Sequence, residues 1–298
     1  MRLLVTGADG QVGWELRRSL MPLGDVIAMD RNACDLSRPQ DLPRIIREMQ
    51  PDIVVNAAAY TAVDKAEEEE ALATMINGAA VGVIAEEARK LGALLIHFST
   101  DYIFDGTKDA PYTEDDPPHP INAYGRSKLA GERAIEQCGA EYLILRTSWI
   151  YATRGRNFLN TVLRLARERD ELRIVADQIG APTWAREIAD VTASIARQAQ
   201  HEREKSGFVS GMLNVTAAGE TSWFGFAQAI MDYAMTAKAG GNRPKIHPIS
   251  SFEYPTAAAR PKNGRLAGDL VRRRFGIALM DWNSALKTCV QKTTFSEA

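Results

Sequence analysis

The sequence predicts an α/β fold, in which a doubly wound parallel sheet is followed by a smaller C-terminal α/β domain. Short β-branched or leucine-rich runs alternate with longer helical patterns in the first half of the chain. Strands that alternate with crossover helices form parallel sheets with helices on both faces. The alternation loosens after about residue 150, which indicates a second domain, and 298 residues are enough for two.

Nine elements are expected before residue 150. The predicted strands are 2–6, 26–29, 53–56, 94–98 and 142–146, and the predicted helices are 11–20, 39–49, 72–91 and 122–138. Beyond them we expect helices at 158–169 and 185–198 and a strand at 172–175. The second of these helices is followed by the charged segment 201–205 and then by a Gly/Ser break. The chain is therefore divided into a domain of residues 1–150 and a domain of residues 151–298, with segments of about 180–215 returning to the first.

The composition excludes several classes of function. Apolar residues make up 45% and charged residues 25%, and the formal net charge is −2, as in ordinary soluble globular proteins. This balance offers no basic surface for nucleic acid or anionic lipid. No apolar run approaches the roughly 18 residues that span a bilayer, and the apolar start of the chain is too short for a signal peptide. We expect a cytoplasmic protein without nucleic-acid or membrane partners.

The cysteines and histidines indicate neither a disulfide framework nor a metal site. Three cysteines are widely spaced, so all three are expected to be reduced, and four histidines are scattered without metal-ligand spacing. The acidic run Glu67 to Glu70 is expected to be a solvated helix face.

A glycine-rich loop lies between the first predicted strand and the first helix. Glycines at this place allow a tight turn and a close backbone approach to a pyrophosphate, whose charge is met by free N–H groups at the helix start. The string alone is a weak signal, but its position after the first strand predicts a dinucleotide site of the Rossmann type. The loop residues expected at the cofactor are Gly7, Gly10, Gln11, Val12 and Gly13.

An acidic residue follows the second strand at the distance from the glycines where a carboxylate binds the adenosine ribose. This residue is Asp30, and it favours NAD. Arg31 beside it offers a partner for a 2′-phosphate, so NADPH stays open as the cofactor beside NADH. The small residues Ala57, Ala58 and Ala59 end the third strand. They leave room for a flat ligand, although close packing of helix on strand explains them equally well.

Three polar residues are expected to converge at the carboxyl edge of the sheet. Tyr124 and Lys128 are spaced i, i+4 on a predicted helix, and Thr100 follows the strand before that helix. Reduction of a ketone requires an acid that protonates the oxygen as negative charge develops. We expect Tyr124 to be that proton donor, Lys128 to lower the pKa of the phenol and bind the nicotinamide ribose, and Thr100 to hydrogen-bond the substrate oxygen.

At these motifs the sequence resembles the extended short-chain dehydrogenase/reductases, and among them those that reduce a 4-keto sugar carried on dTDP. The likeness covers nearly the whole chain, through segments 4–7, 10–16, 54–67, 99–106, 122–128, 146–149, 177–183 and 259–261. The resemblance implies that the cofactor is also lined by Asp35 and Leu36, and that the sugar nucleotide faces Thr100, Asp101, Tyr124, Trp149 and Arg260. Arg260 is a candidate for the pyrophosphate, since guanidinium binds phosphate with two donors, and a surface salt bridge is the alternative.

The resemblance implies NAD(P)H-dependent reduction of the sugar C4 ketone, and it leaves alternatives open. One is another reductase, an epimerase or a dehydratase that acts on a different nucleotide 4-keto sugar. Related dehydratases carry Asp-Glu after the Thr, whereas Tyr102 follows Asp101 here. Another is a regulatory homologue that binds the cofactor without turnover. A homodimer is possible, but Arg186 occupies the place of the glutamate that holds Mg²⁺ between subunits in some relatives, with Glu187 next. A metal is therefore doubtful.

Overall fold

The computed structural model describes residues 1–237 and 243–294. The strands are β1 Arg2–Thr6, β2 Asp25–Met29, β3 Ile53–Asn56, β4 Leu94–Thr100, β5 Tyr142–Thr147, β6 Ile150–Tyr151, β7 Glu171–Val175, β8 Ile179–Gly180, β9 Thr183–Trp184, β10 Gly211–Asn214, β11 Thr221–Ser222 and β12 Lys245–Ile249. The α-helices are α1 Gln11–Ser19, α2 Leu42–Met49, α3 Glu70–Thr74, α4 Ala80–Leu91, α5 Ala123–Cys138, α6 Phe158–Glu168, α7 Ala185–Glu204, α8 Trp223–Ala237, α9 Asp269–Phe275 and α10 Trp282–Thr294.

Six strands form one parallel sheet in the order β2-β1-β3-β4-β5-β10. After β1 the chain runs outward to β2 and then returns to β3 on the other side. The order therefore reverses between β1 and β3. Ligands of open parallel sheets bind at such a reversal, outside the carboxyl ends of the strands. The doubly wound, Rossmann-like sheet predicted from the sequence is confirmed.

Helices cover both faces of this sheet. On one face, buried residues of α1, α7 and α9 pack on β1, β3, β4 and β5, as Leu16, Ile188 and Val271 show. On the other face α2, α4 and α5 contribute residues such as Ile46, Ile84 and Ile135. Because both faces are buried, the inner strands are apolar along their length instead of alternating.

A separate apolar cluster lies outside the sheet. It is formed by α6, α8 and α10 with β6 and β9, and its buried residues include Leu159, Phe226, Ile230 and Leu286. The parallel pair of β7 and β12 packs beside it. The segments between 180 and 215 lie partly at the large sheet: α7 packs on α1, and β10 pairs with β5.

Two helices differ from the sequence prediction. α7 continues beyond the expected end at residue 198 through Glu204, because the charged residues that follow are good helix formers and lie mostly exposed. The helical stretch Glu70–Leu91 includes a π-helical turn at Met75–Ala79. By length and mean hydropathy of 1.2 this stretch could cross a membrane, but half of it is buried inside the fold.

Candidate active site

The glycine loop lies at the reversal point of the sheet. Gly7 has φ of +72°, and a Cβ there would lie 2.7 Å from the backbone nitrogen of Ala58. A Cβ on Gly13 would overlap the carbonyl oxygen of Gly7. The close approach of the loop to the backbone of Ala57 and Ala58 thus requires a glycine at position 7, while the role of the small residues after β3 toward the cofactor stays a prediction. Gly10 begins α1 without a side-chain cap, so the first amides of the helix are left for a ligand.

The residues that follow β2 form a hydrogen-bonded turn. Asp30 accepts the backbone N–H of Ala33 at 2.9 Å, and the exposed Arg31 lies 3.6 Å from Asp35. Leu36 is buried in the core beside α2. Asp30 and Arg31 thus lie at the carboxyl end of the strand next to the glycine loop, where their roles toward the cofactor stay a prediction.

The start of α5 is fixed against the loop after β4. Asn122 caps the helix by accepting the N–H of Gly125 at 2.8 Å, and its Nδ2 donates to the carbonyl of Ala259 at 2.8 Å. A Cβ on Gly125 would overlap the carbonyl oxygen of Tyr102. This close contact brings Tyr124 to Tyr102, where the two rings meet edge to face at 5.6 Å.

Tyr124 lies beside Thr100 in a cleft with little access to water. Loss of water raises the pKa of the Tyr124 phenol to about 12, while a hydrogen bond between Tyr124 and Thr100 acts in the opposite direction. The sequence predicted that Lys128 would lower this pKa. In the structure the net direction is upward, because desolvation outweighs the hydrogen bond that favours the phenolate. The phenol therefore keeps its proton over a wide pH range. The effect of Lys128 on this pKa stays a prediction.

Lys128 is buried, with 2% of its surface exposed. Its Nζ donates to the carbonyl of Phe98 at 2.6 Å and lies 3.1 Å from Nε2 of His97. Burial lowers the pKa of Lys128 to about 8, and the charge of Glu132 acts in the opposite direction. His97 is fully buried, and no motif in the sequence distinguished it.

Asp101 is buried at the mouth of the same cleft. Its Oδ1 accepts from the hydroxyl of Thr100 at 3.2 Å, and a Cβ on Gly264 would lie 2.5 Å from its Oδ2. Burial raises the pKa of Asp101 to about 7, with the Thr100 hydrogen bond lowering it. The carboxyl group is therefore able to hold or release a proton near neutrality.

A cavity of about 750 Å³ lies next to this cleft, between α6, β7 and the segment after β12. Its lining includes Arg169, Arg173, Gln178, Trp223, Phe252 and Arg260. Arg260 lies near Tyr102 and binds Asp64. Of the lining residues, only Arg260 was identified individually from the sequence, because the others converge from separate elements.

Trp149 stands at the edge of the cavity in a left-handed conformation, with φ of +47°. One face of its ring stacks on Trp223, with ring centroids 3.6 Å apart and planes 8° from parallel. Trp223 in turn donates its indole N–H to Gln178 at 3.1 Å. A sugar can thus stack only on the part of Trp149 that Trp223 leaves uncovered.

The residues at the place of the relatives' metal glutamate make contacts within the chain. Glu187 accepts the backbone N–H of Met280, and the guanidinium of Arg186 lies over the ring of Trp184. Across residues 1–237 and 243–294, no group of three or more His, Cys, Asp or Glu side chains is arranged to hold a metal ion. None of the three cysteines forms a disulfide bond.

Known proteins match the chain along almost its whole length. The family model for the RmlD substrate binding domain matches residues 1–295. A dTDP-4-dehydrorhamnose reductase of Burkholderia thailandensis is 52% identical over 295 residues, which is 98% of each chain. The Escherichia coli K12 protein of the same name is 44% identical over 291 residues, 96% of each chain.

Solved structures agree with these relatives. The structure of dTDP-4-dehydrorhamnose reductase from Bacillus anthracis in complex with NADP has a TM-score of 0.87 at 34% identity, and the match covers 100% of this chain and 99% of that one. The Thermus thermophilus UDP-glucose 4-epimerase with NAD has a TM-score of 0.80 at 18% identity over the full length of both chains, which shows a shared fold. The chain therefore belongs to the RmlD family of NAD(P)H-dependent oxidoreductases, and its relatives at 44% and 52% identity are named dTDP-4-dehydrorhamnose reductases.

Proposed function

We propose that the protein reduces the C4 ketone of dTDP-4-dehydro-L-rhamnose to dTDP-L-rhamnose. The observation that carries this proposal is that Thr100 and Tyr124 lie beside each other and near buried Lys128, at the same sheet edge as the glycine loop. The names of full-length relatives at 44% and 52% identity support the choice of substrate. NADPH or NADH is the proposed cofactor, since the Bacillus anthracis relative holds NADP.

When bound, the dinucleotide supplies the hydride that reduces the ketone carbon. Tyr124 donates its phenolic proton to the ketone oxygen as negative charge develops there, and the Thr100 hydroxyl orients that oxygen. A phenol that stays protonated is the form that a reduction requires. Lys128 would hold the nicotinamide ribose, and the uncapped start of α1 would bind the pyrophosphate.

The cavity of about 750 Å³ is the proposed site of the sugar nucleotide. The guanidinium groups of Arg169, Arg173 and Arg260 would meet the diphosphate, while Trp223 and Phe252 offer flat apolar surfaces to the base. We keep the division into a dinucleotide-binding domain of residues 1–150 and a substrate-binding domain of residues 151–298 as part of this proposal.

Turnover of a panel of sugar nucleotides tests the function. The purified protein is given dTDP-4-dehydro-L-rhamnose or other nucleotide 4-keto sugars, each with NADPH and NADH, while dinucleotide oxidation is followed and the product is identified by NMR. We expect the highest kcat/KM with dTDP-4-dehydro-L-rhamnose. Faster turnover of another keto sugar would change the substrate, and dinucleotide binding without oxidation across the panel would favour a regulatory homologue.

A further inference from the structure

The segment that joins β6 to α6 lies against the start of α1, next to the glycine loop. Gly155 in this segment has φ of +75°, and a Cβ there would lie 3.7 Å from Cγ of Gln11. Asn157, the N-cap of α6, donates from Nδ2 to Oε1 of Gln11 at 2.9 Å. This strap, residues 152–157, thus holds the side chain of the first residue of α1.

Neighbouring backbone groups fix the orientation of the Asn157 amide. The backbone N–H of Asn160 lies 3.0 Å from Oδ1 of Asn157, and a backbone N–H can only donate. Nδ2 of Asn157 lies 2.8 Å from the carbonyl oxygen of Ala152 and 3.1 Å from that of Arg154, and carbonyl oxygens can only accept. Both observations place the NH₂ group of Asn157 on the side that faces Gln11.

The amide of Gln11 is therefore oriented as well. Because Asn157 presents a donor, Gln11 must present its oxygen, and its own NH₂ group is turned away from Asn157. This NH₂ group has no acceptor within residues 1–237 and 243–294. Gln11 is partly buried and follows Gly10, which leaves the first amides of α1 without a side-chain cap. An unpartnered donor beside these free amides is suited to an anion.

A second donor of the strap lies over the same helix. The guanidinium of Arg154 stacks on the ring of Trp14, 3.6 Å from the ring centroid, and Trp14 lies one turn after Gln11 on α1. Nη1 of Arg154 is buried without a hydrogen-bond acceptor, and the side chain forms no ion pair with a carboxylate in the part of the chain that the structure describes. Its positive charge is therefore available to attract an anion to the start of α1.

We propose that Asn157 is a positioning residue for the dinucleotide: it turns the amide of Gln11 so that the NH₂ group donates to the pyrophosphate at the start of α1. Phosphate oxygens accept, so the opposite orientation of the amide would set the Gln11 oxygen against them. The inference rests on the proposed function only for its place in the reaction, because binding of the dinucleotide is measured without turnover.

The same residue begins one wall of the cavity proposed for the sugar nucleotide. Asn157 caps α6, and Phe158 and Thr161 of that helix line the cavity. The strap thus lies between the two proposed binding sites. In this proposal a residue beyond position 150 serves the dinucleotide together with the glycine loop near the start of the chain.

The first test is the affinity of the full-length protein for NADPH, NADH and ADP-ribose, measured by titration calorimetry. Asn157→Ser retains a good N-cap for α6 but is too short to reach Gln11. With the Gln11 amide free to rotate, we expect Kd to rise about threefold to tenfold. The factor should be the same for all three ligands, since each carries the pyrophosphate. A rise confined to NADPH, or to the two nicotinamide ligands, would place the contact elsewhere and overturn the proposal.

A double-mutant cycle shows whether Asn157 acts through Gln11. Gln11→Met removes the NH₂ group at similar side-chain length and should raise Kd about tenfold. In that background Asn157→Ser should raise Kd less than twofold further, whereas a mere loosening of the strap would add its full effect. Asn160→Ser is the matched control, because Asn160 donates to the carbonyl of Gly155 at 2.9 Å and holds the strap through its backbone. Its Kd should stay within about twofold of wild type.

Three results would contradict the proposal: full additivity of Asn157→Ser and Gln11→Met, an equal rise of Kd in Asn160→Ser, or wild-type affinity in a folded Gln11→Met protein. The last of these is conclusive even where Asn157→Ser does not fold, since the side chain of Gln11 makes a single hydrogen bond within the described residues. No sugar is added in these measurements, so their outcome is independent of the proposed reaction.

Discussion

Arg260 binds Asp64 with both terminal nitrogens, Nη1 to Oδ1 at 2.9 Å and Nη2 to Oδ2 at 2.7 Å. The Arg260 guanidinium holds the pKa of Asp64 below its ordinary value. The group assigned to the substrate's diphosphate is thus neutralised in the ligand-free protein. Diphosphate binding requires Arg260 to exchange this carboxylate for a phosphate or to share its donors between them.

Removing the guanidinium is expected to weaken sugar-nucleotide binding. Charge-assisted hydrogen bonds contribute about 1.5–3 kcal/mol, so Arg260→Gln should raise KM for the sugar nucleotide by about 10- to 100-fold. The control Asp64→Asn retains a hydrogen-bond acceptor but removes the competing charge, so its KM should stay equal or fall. Initial-rate kinetics at fixed NADPH measure both. An unchanged KM in Arg260→Gln would remove this residue from the diphosphate site.

The aromatic edge of the cavity depends on the absence of a side chain at Gly180. A Cβ at this position would lie 2.6 Å from the ring of Trp149, so Gly180→Ala must displace the indole. Overpacking of this kind costs about 1–3 kcal/mol. We expect a lower Tm and a higher KM for the sugar nucleotide, with dinucleotide affinity unchanged.

Gly211→Ala is the matched control for Gly180→Ala, because a Cβ at Gly211 meets nothing within 4 Å. This variant should retain wild-type KM. Thermal unfolding and initial rates are measured for both variants. Equal changes in Tm and in KM at the two positions would show that Trp149 does not shape the sugar site.

The buried carboxyl of Asp101 gives the protein a pH-dependent stability. Its pKa is raised to about 7 in the folded protein, whereas an unfolded chain has an ordinary carboxyl pKa near 4. The folded state therefore binds the extra proton between these values, and stability is lost as pH rises from about 4 to 7. The free energy of unfolding of Asp101→Asn, relative to that of wild type, should therefore rise by about 1–4 kcal/mol between pH 4 and pH 8. Denaturant unfolding at pH 4 and pH 8 measures the difference in the free energy of unfolding between variant and wild type. The same difference at both pH values would contradict the raised pKa of Asp101.

Much of the fold could be predicted from local sequence. The first five strands of the sheet and the glycine loop follow from the alternation of apolar runs and from the glycine spacing. Tyr124 and Lys128 were found because both lie on one helix, and Thr100 because it ends a strand. Each of these signals involves residues close together in the chain or at the end of one element.

The rest of the site could not be predicted because it depends on contacts between distant segments. His97 lies inside an apolar strand, and only the packing of α5 shows that it reaches Lys128. Trp223 and Trp149 meet through the packing of α8. The acidic run Glu67 to Glu70 is mostly exposed, as expected, but the sequence did not indicate that Glu67 accepts the N–H of Ala123 and Glu69 accepts from Tyr60.

The central claim is that Tyr124 donates the proton, and single-turnover kinetics of Tyr124→Phe test it most directly. Stopped-flow NADPH oxidation with dTDP-4-dehydro-L-rhamnose is compared between this variant, wild type and Tyr142→Phe, a control at the start of β5. Loss of a positioned general acid should slow hydride transfer about 10²- to 10⁴-fold, with NADPH affinity retained and Tyr142→Phe equal to wild type. A Tyr124→Phe protein that reduces the sugar at the wild-type rate would contradict the mechanism.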